Sequence, residues 1–245
     1  YIKRKIVRKK IVPIVIKDIE SNLLVGKKAF ITGGSSGIGF AIAKKFIASG
    51  CEVIIGGSDE SKLKKCAEEL NCKFLTADLN DIPNLKEQII NHLGVVDILV
   101  NSAGYHGVEK FGEITPYEWD KVMNINLRGM YFICQFVSKV MIKHGTKGHI
   151  LNVSSASALK PGWTPYEISK RAVNGLTLGF ADKLIRYGIV VNGIAPGPTA
   201  TPMLGKVVDG DLDLEWNANP SGRMSTVEEI ANLALFMVSD LGNGI

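Results

Sequence analysis

Tyr166 and Lys170 stand four residues apart in Thr164-Pro165-Tyr166-Glu167-Ile168-Ser169-Lys170. On a helix, that spacing puts both side chains on one face. An ammonium beside a phenol stabilises the phenolate, so the tyrosine can exchange a proton near neutral pH rather than at about 10. The chemistry on offer is general acid/base catalysis. The same spacing also arises as a surface pair on an amphipathic helix, so the rest of the chain must decide between the two.

The elements that would hold this pair can be read from the alternation of apolar runs and helix-spaced segments. Strands are predicted at Lys28–Thr32, Glu52–Ile55, Lys73–Thr76, Val96–Val100, Gly148–Val153 and Ile189–Ile194. Helices are predicted at Ile38–Ala48, from Ser58-Asp59-Glu60 to Leu70, and at Ile82–His92. Thr115-Pro116-Tyr117-Glu118 reads as a capping box opening one long helix to about His144. Pro165–Tyr187 follows with an apolar face of Val173, Leu176, Phe180 and Leu184, and Thr226-Val227-Glu228-Glu229 opens a last helix to about Ser239. Apolar strands separated by helices predict a parallel sheet covered on both faces, an α/β doubly wound Rossmann fold in three α/β/α layers. Ligands of such folds bind beyond the strand C-termini, where the strand order reverses.

No repeat or low-complexity linker divides the 245 residues, so one domain is expected over 22–245 behind an N-terminal extension of residues 1–21. That extension holds seven basic and two acidic residues, which is the whole net charge of +5, and leaves the remainder neutral. A neutral domain argues against nucleic acid as partner. Arg8-Lys9-Lys10 could meet an anionic partner or simply be solvated. Ile2, Ile6, Val7, Ile11, Val12, Ile14, Val15 and Ile16 are strand-prone, so the arm is expected to pair with a sheet edge or a neighbouring subunit. No apolar run reaches about 18 residues, which argues against a membrane span. Cys51, Cys66, Cys72 and Cys134 are scattered and form no ligand cluster with the four histidines. Reduced thiols, a cytoplasmic location and no metal site are the expectation.

Thr32-Gly33-Gly34-Ser35-Ser36-Gly37-Ile38-Gly39 follows the first strand and opens the first helix. Its glycines permit tight turning and close approach of a pyrophosphate to helix N-terminal N–H groups. No Gly-Lys-Ser/Thr follows, so it is not a Walker loop. With the downstream Tyr166 and Lys170, this turn resembles the short-chain dehydrogenases/reductases, in their single-domain branch, from about Val25 to Asp240. Further landmarks fall in the family's order: Asp78-Leu79, Asn101-Ser102-Ala103-Gly104, Asn126-Leu127-Arg128-Gly129, Ser154-Ser155, and Asn192 through Pro196-Gly197-Pro198-Thr199-Ala200-Thr201.

The resemblance implies a hydride transfer between a nicotinamide cofactor and a carbonyl or secondary alcohol, in a 3-oxoacyl-(acyl carrier protein) reductase-like enzyme or a small-carbonyl or sugar reductase. It implies Tyr166 as proton donor or acceptor and Lys170 as the group that lowers the tyrosine pKa and holds the nicotinamide ribose. Ser155 would hold the substrate oxygen, and Asn126 a water that passes protons to Lys170. The cofactor would lie along Thr32, Gly33, Ser35, Ser36, Gly37, Ile38 and Gly39, with Ser58 at the ribose. Asp78 and Leu79 would receive the adenine, Asn101, Ala103 and Gly104 its ribose, and Pro196, Gly197, Thr199 and Thr201 the carboxamide. The serine stands eleven residues before the tyrosine rather than the family's thirteen or so, which implies a shorter loop over 159–164. Strand register favours Ser155 over Ser154, with Ser157 third.

No carboxylate occupies Gly57, the position where NAD enzymes carry one for the ribose 2′-OH, and Ser58 and Lys62 could meet a 2′-phosphate. NADP is therefore preferred to NAD, with two counter-indications: Asp59 is nearby, and Ser36 stands where the family's NADP enzymes often carry a base. The mixed charges of Arg171, Asp182, Lys183 and Arg186 argue against docking of an acidic carrier protein. A homo-oligomer, dimer or tetramer, and a small-molecule partner are implied. His106 stands at the substrate mouth or on a surface loop, and Trp163 covers the site or packs on its own loop. Leu204, Val207, Val208, Leu212, Leu214 and Trp216, within a lid expected over Met203–Pro220, shape an apolar pocket or cover the core. A non-catalytic NAD(P)-binding regulatory protein on the same fold is the alternative. The family continues past its last helix with a further strand and an Asp-Gly-Gly turn. Here the sequence ends at Leu241-Gly242-Asn243-Gly244-Ile245, either trimmed or without that strand.

Overall fold

The structure, a computed structural model, describes residues 22–107, 110–204, 207–208, 211–212 and 221–245. The N-terminal extension therefore lies outside the described residues. Six parallel strands form the central sheet: β1 Lys28–Thr32, β2 Glu52–Gly57, β3 Lys73–Thr76, β4 Ile98–Asn101, β5 His149–Val153 and β6 Val190–Ile194. Their spatial order is β3-β2-β1-β4-β5-β6, the doubly wound order expected from the sequence, with its reversal between β1 and β4.

Period-two alternation assigns each strand side chain to one of two cores. Ala29, Ile31, Val53, Ile55, Ile98, Val100, Leu151 and Val153 face one layer, built by α1 (Gly37–Ala48), α2 (Glu60–Leu70) and α7 (Val227–Val238). Phe30, Ile54, Leu99 and Ile150 face the other, built by α3 (Ile82–Gln88), α5 (Met130–His144) and α6 (Pro165–Leu184). The alternation ends in a polar row. Thr32 stands in register with Asn101, and Asn101 with Asn152. These three residues lie at or next to the carboxyl ends of β1, β4 and β5.

The long helix expected from Thr115 is interrupted. Helix α4 covers Pro116–Met123, and residues Asn124–Gly129 are π-helical before α5 begins. Two contacts account for the change. A Cβ on Gly129 would lie 2.5 Å from Leu79 Cβ and 2.7 Å from its carbonyl oxygen, so the chain passes the β3 end at backbone distance. Asn126 is turned inward to grip the backbone of Tyr105. Widened turns of this kind re-aim a side chain that a regular helix would place elsewhere. Ile89–Leu93 is likewise π-helical after α3. Two short antiparallel strands, β7 (Val207–Val208) and β8 (Asp211–Leu212), fall within the segment read as a lid.

Candidate active site

The glycine turn leaves β1 and enters α1 with no slack. A Cβ on Gly33 would lie 2.8 Å from the Ala103 backbone, and one on Gly39 would lie 2.3 Å from the Gly33 carbonyl oxygen. Gly37 has φ of +52°, a conformation that favours glycine. Thr32 is buried and its Oγ1 accepts the N–H groups of Ser102 and Ala103, both at 3.2 Å, tying the turn to the end of β4. A side chain closes the N-terminus of α2, α3, α4, α6 and α7 (Asp59, Asp81, Thr115, Thr164 and Thr226). Ser36 makes no such bond at α1. The leading N–H groups of α1 thus have no side-chain cap beside a glycine-lined cleft, which is the donor set a pyrophosphate requires.

Gly39→Ala is expected to destabilise the protein by about 2–4 kcal/mol and to abolish cofactor binding, because the added methyl meets backbone that cannot yield. Gly57→Ala is the control, since its Cβ would meet nothing closer than 3.6 Å. Chemical denaturation and a cofactor fluorescence titration on both variants check this.

Helix α6 is anchored at its first turn. Thr164 Oγ1 accepts the Glu167 N–H at 3.2 Å, and Glu167 Oε2 accepts the Thr164 and Trp163 N–H groups at 3.1 and 2.9 Å. Burial works against the Glu167 carboxylate, yet these donors and the nearby His106 hold it below the usual range. This capping box, with Pro165 at the first helical position, sets the direction in which Tyr166 leaves the chain. One turn on, Lys170 is buried and its Nζ donates to the Val153 carbonyl at 2.9 Å. Burial pulls its pKa from 10.5 down to about 8. The Lys170 Nζ lies 5.7 Å from the Tyr166 ring centroid.

The serines at the end of β5 separate by environment. Ser154 donates to Asn174 Oδ1 at 2.6 Å and lies 3.1 Å from the Lys170 carbonyl, so its hydroxyl is turned to α6. Ser155 caps the 3₁₀ turn Ala156–Leu159, accepting from the Ser157 N–H at 3.2 Å and the Ser157 hydroxyl at 2.9 Å. The loop that follows is held by Arg171, which donates to the carbonyls of Ala158 and Lys160. No sequence signal marked Arg171 for this task. Trp163 is exposed and packs edge-on against Phe111 at 5.3 Å.

A cleft of about 510 Å³ collects most of the expected residues. Gly33, Ser36, Gly37, Ile38, Gly39, Ala103, Gly104, Ser155, Tyr166, Lys170, Pro196, Gly197, Thr199 and Thr201 all line it. Pro196–Thr201 is fixed by the Ala156 N–H on the Pro196 carbonyl and by reciprocal backbone bonds between Ser225 and residues 198 and 200. His106, Lys160, Ser157, Glu167 and Met203 line the cleft as well. The other side chains of the expected lid, Leu204 to Trp216, lie outside the described residues.

Several expected residues stand apart from this cleft. Thr32 and Ser35 support the turn from behind, the latter through its carbonyl, which accepts from Cys66 Sγ at 3.4 Å. Asn101 turns its amide into the protein, 2.8 Å from Asn152 Oδ1 and 3.1 Å from Cys134 Sγ. Asn126 is buried and holds Tyr105 and Ser169. Leu79 is buried against Gly129. Asp78 accepts from the backbone and side-chain N–H groups of Asn80, and Ser58 is exposed at the end of β2. Among the described residues, no cluster of histidine, cysteine and carboxylate side chains is arranged to hold a metal, and no helix is long and apolar enough to cross a membrane.

A doubly wound sheet thus brings a glycine cradle, an uncapped helix and a tyrosine–lysine pair to one cleft. A family model described as short chain dehydrogenase matches residues 27–211. The chain is 35% identical over 233 residues to a 3alpha-hydroxysteroid dehydrogenase of Mediterraneibacter gnavus, covering 90% of this chain and 93% of that one. It is 37% identical over 232 residues to a 3-oxoacyl-(acyl-carrier-protein) reductase of Chlamydia muridarum, again covering 90% and 93%. A solved 3-oxoacyl-(acyl-carrier protein) reductase of Brucella melitensis superposes with a TM-score of 0.83 at 28% identity, covering 96% of this chain and 93% of that one. The protein belongs to the short-chain dehydrogenase/reductase family and is an NAD(P)-dependent oxidoreductase acting between a carbonyl and an alcohol.

Proposed function

We propose that the protein is an NADP(H)-dependent reductase of small polar carbonyl compounds, with the catalytic apparatus on α6 and β5. The observation that carries this is the placement of Tyr166 and Lys170 on one face of α6, opening onto the cleft under the glycine turn. The nicotinamide supplies the hydride when bound. Tyr166 delivers a proton to the carbonyl oxygen, and Ser155 holds that oxygen through its hydroxyl. Lys170 supplies the positive charge beneath the phenol. Gly33, Gly37 and Gly39 receive the pyrophosphate, and the Pro196–Thr201 loop orients the carboxamide end. Residues 22–245 act as one unit in this reading.

The NADP preference is supported at the end of β2. Gly57 offers no carboxylate, and the Asp59 side chain is committed to capping α2, accepting the Lys62 N–H at 3.0 Å. NADPH is expected to exceed NADH in kcat/KM, and Gly57→Asp is expected to swing that ratio by about 10- to 100-fold toward NADH through the 2′-OH contact. Equal use of both cofactors by wild type would count against the preference.

A polar substrate is supported by Ser155, Ser157, His106 and Lys160 around Tyr166. An acidic carrier protein is less well served. Arg171 is spent on the serine loop and Lys183 pairs with Asp182 at 2.8 Å. Steady-state assays with short hydroxy-ketones, oxo acids and a 3-oxoacyl thioester separate these substrates. Faster turnover of the thioester would overturn the polar-carbonyl assignment.

Self-association is supported by the outer faces of α5 and α6. Tyr131 and Leu178 are exposed there, with Ile185 in the turn after α6, and a Cβ on Gly175 or Gly179 would meet nothing within 4 Å. A second copy seated on this face accounts for these exposed apolar side chains. The four free thiols support a reducing, cytoplasmic setting.

A further inference from the structure

Asn126 makes more of its single amide than the sequence suggested. Its Oδ1 accepts the Tyr105 N–H at 2.7 Å and its Nδ2 donates to the Tyr105 carbonyl at 2.9 Å. The donor and acceptor of one backbone residue thereby set the amide's orientation. The same Nδ2 donates to Ser169 Oγ at 3.1 Å, and Ser169 Oγ donates to the Tyr166 carbonyl at 2.7 Å. One arm from Asn126 thus reaches the backbone of the catalytic tyrosine.

The other arm reaches its ring. His106 follows the clamped Tyr105, and its ring centroid lies 4.4 Å from that of Tyr166 at an interplanar angle of 41°. The turn carrying His106 is restrained on both sides. A Cβ on Gly104 would lie 3.6 Å from both Asn126 Oδ1 and Lys170 Nζ. Gly107 has φ of +78° and leaves no room for a Cβ beside Val122, at 2.8 Å. Glu167, Lys170 and Lys160, the charged side chains lining the cleft, come from α6 and the serine loop.

We propose that His106 is a positioning residue for Tyr166, and that Asn126 acts on the tyrosine through two arms, Ser169 to the backbone and Tyr105–His106 to the ring. The ring of His106 restricts the phenol to the orientation from which its proton reaches the substrate oxygen. This rests on the reading of Tyr166 as the proton-transfer group. The role demands ring packing rather than the imidazole's polar atoms, so phenylalanine should serve where alanine does not.

The test compares His106→Ala and His106→Phe with wild type in steady-state NADPH-dependent reduction. It is joined by 19F NMR of protein labelled with 3-fluorotyrosine, where the Tyr166 signal is the one missing from Tyr166→Phe. His106→Ala is expected to lower kcat by about 30-fold, with the KM for NADPH within about twofold of wild type. His106→Phe is expected to recover kcat to within about threefold. The Tyr166 fluorine signal should move in the alanine variant and return toward its wild-type position in the phenylalanine variant. The proposal is overturned by an alanine variant with wild-type kcat, by a loss confined to the KM of the carbonyl, or by a phenylalanine variant as impaired as alanine. If wild type reduces no carbonyl, the hydride-transfer reading fails by itself. The fluorine signal then judges the contact, and an unmoved signal in His106→Ala overturns it.

Discussion

Tyr166→Phe is expected to lower kcat for carbonyl reduction by about 10³-fold while leaving NADPH binding within a factor of about two. The substitution removes one oxygen from a half-buried ring and leaves its packing with His106 in place. Its backbone carbonyl still accepts from Ser169 and the helix still starts at the Thr164–Glu167 box. What is lost is the proton that neutralises the developing alkoxide. Solvent reaches the cleft and can replace it slowly, so a residual rate of about one part in a thousand is the expected floor. Rapid-mixing kinetics with a fluorescence titration of NADPH separate the two quantities. A variant retaining a third of wild-type kcat would remove Tyr166 from the chemistry.

Lys170→Met is expected to do two things of opposite sign. It should lower kcat/KM by about 10²- to 10³-fold, because the phenol loses the charge that eases its ionisation. It should also stabilise the cofactor-free protein by about 2 kcal/mol at pH 7. Burying the ammonium lowers its pKa from 10.5 to about 8, a cost of roughly 3 kcal/mol when both folded and unfolded forms are protonated. Loss of the bond to the Val153 carbonyl returns about 1 kcal/mol of that gain. The pH dependence follows from the direction of the shift. Between about 8 and 10.5 the folded protein sheds the proton while the unfolded chain keeps it, so wild-type stability rises with pH across that window. Lys170→Met should lack that rise. Urea unfolding at pH 7 and pH 10 measures both, and a destabilised variant would contradict the assignment of a buried, strained charge.

Much of this was legible because it depends on short-range rules. Of the two capping boxes read from the sequence, the one at Thr226 forms with both reciprocal bonds, and at the other Thr115 accepts the Glu118 N–H. The six strands fall within a few residues of their apolar runs, since buried parallel strands leave little room for other residue types. The glycine turn was readable as a type, and its geometry adds the reason for each residue: Gly33 and Gly39 for close approach, Gly37 for its positive φ.

The features that escaped are those set by partners distant in sequence. The π-helical stretch at Asn124–Gly129 answers to Leu79 and Tyr105, which no local window contains. Arg171 read as a surface charge until the serine loop brought two carbonyls to it. The turn of the Ser154 hydroxyl toward α6 depends on Asn174, twenty residues further along the chain. Asn101 belongs to a polar bracket with Asn152 that exists only because β4 and β5 are neighbours.

In the proposed reaction this chain's cleft passes a hydride from a nicotinamide to a carbonyl carbon while Tyr166 supplies the proton. The most direct measurement uses NADPH carrying deuterium at the transferring position of the nicotinamide, a panel of small polar carbonyls, and mass spectrometry of the alcohol formed. Wild type is expected to place one deuterium on the former carbonyl carbon, and Tyr166→Phe to form product at about one thousandth of the rate. Tight NADPH binding with no labelled alcohol from any carbonyl, or labelled alcohol formed equally fast by Tyr166→Phe, would contradict it.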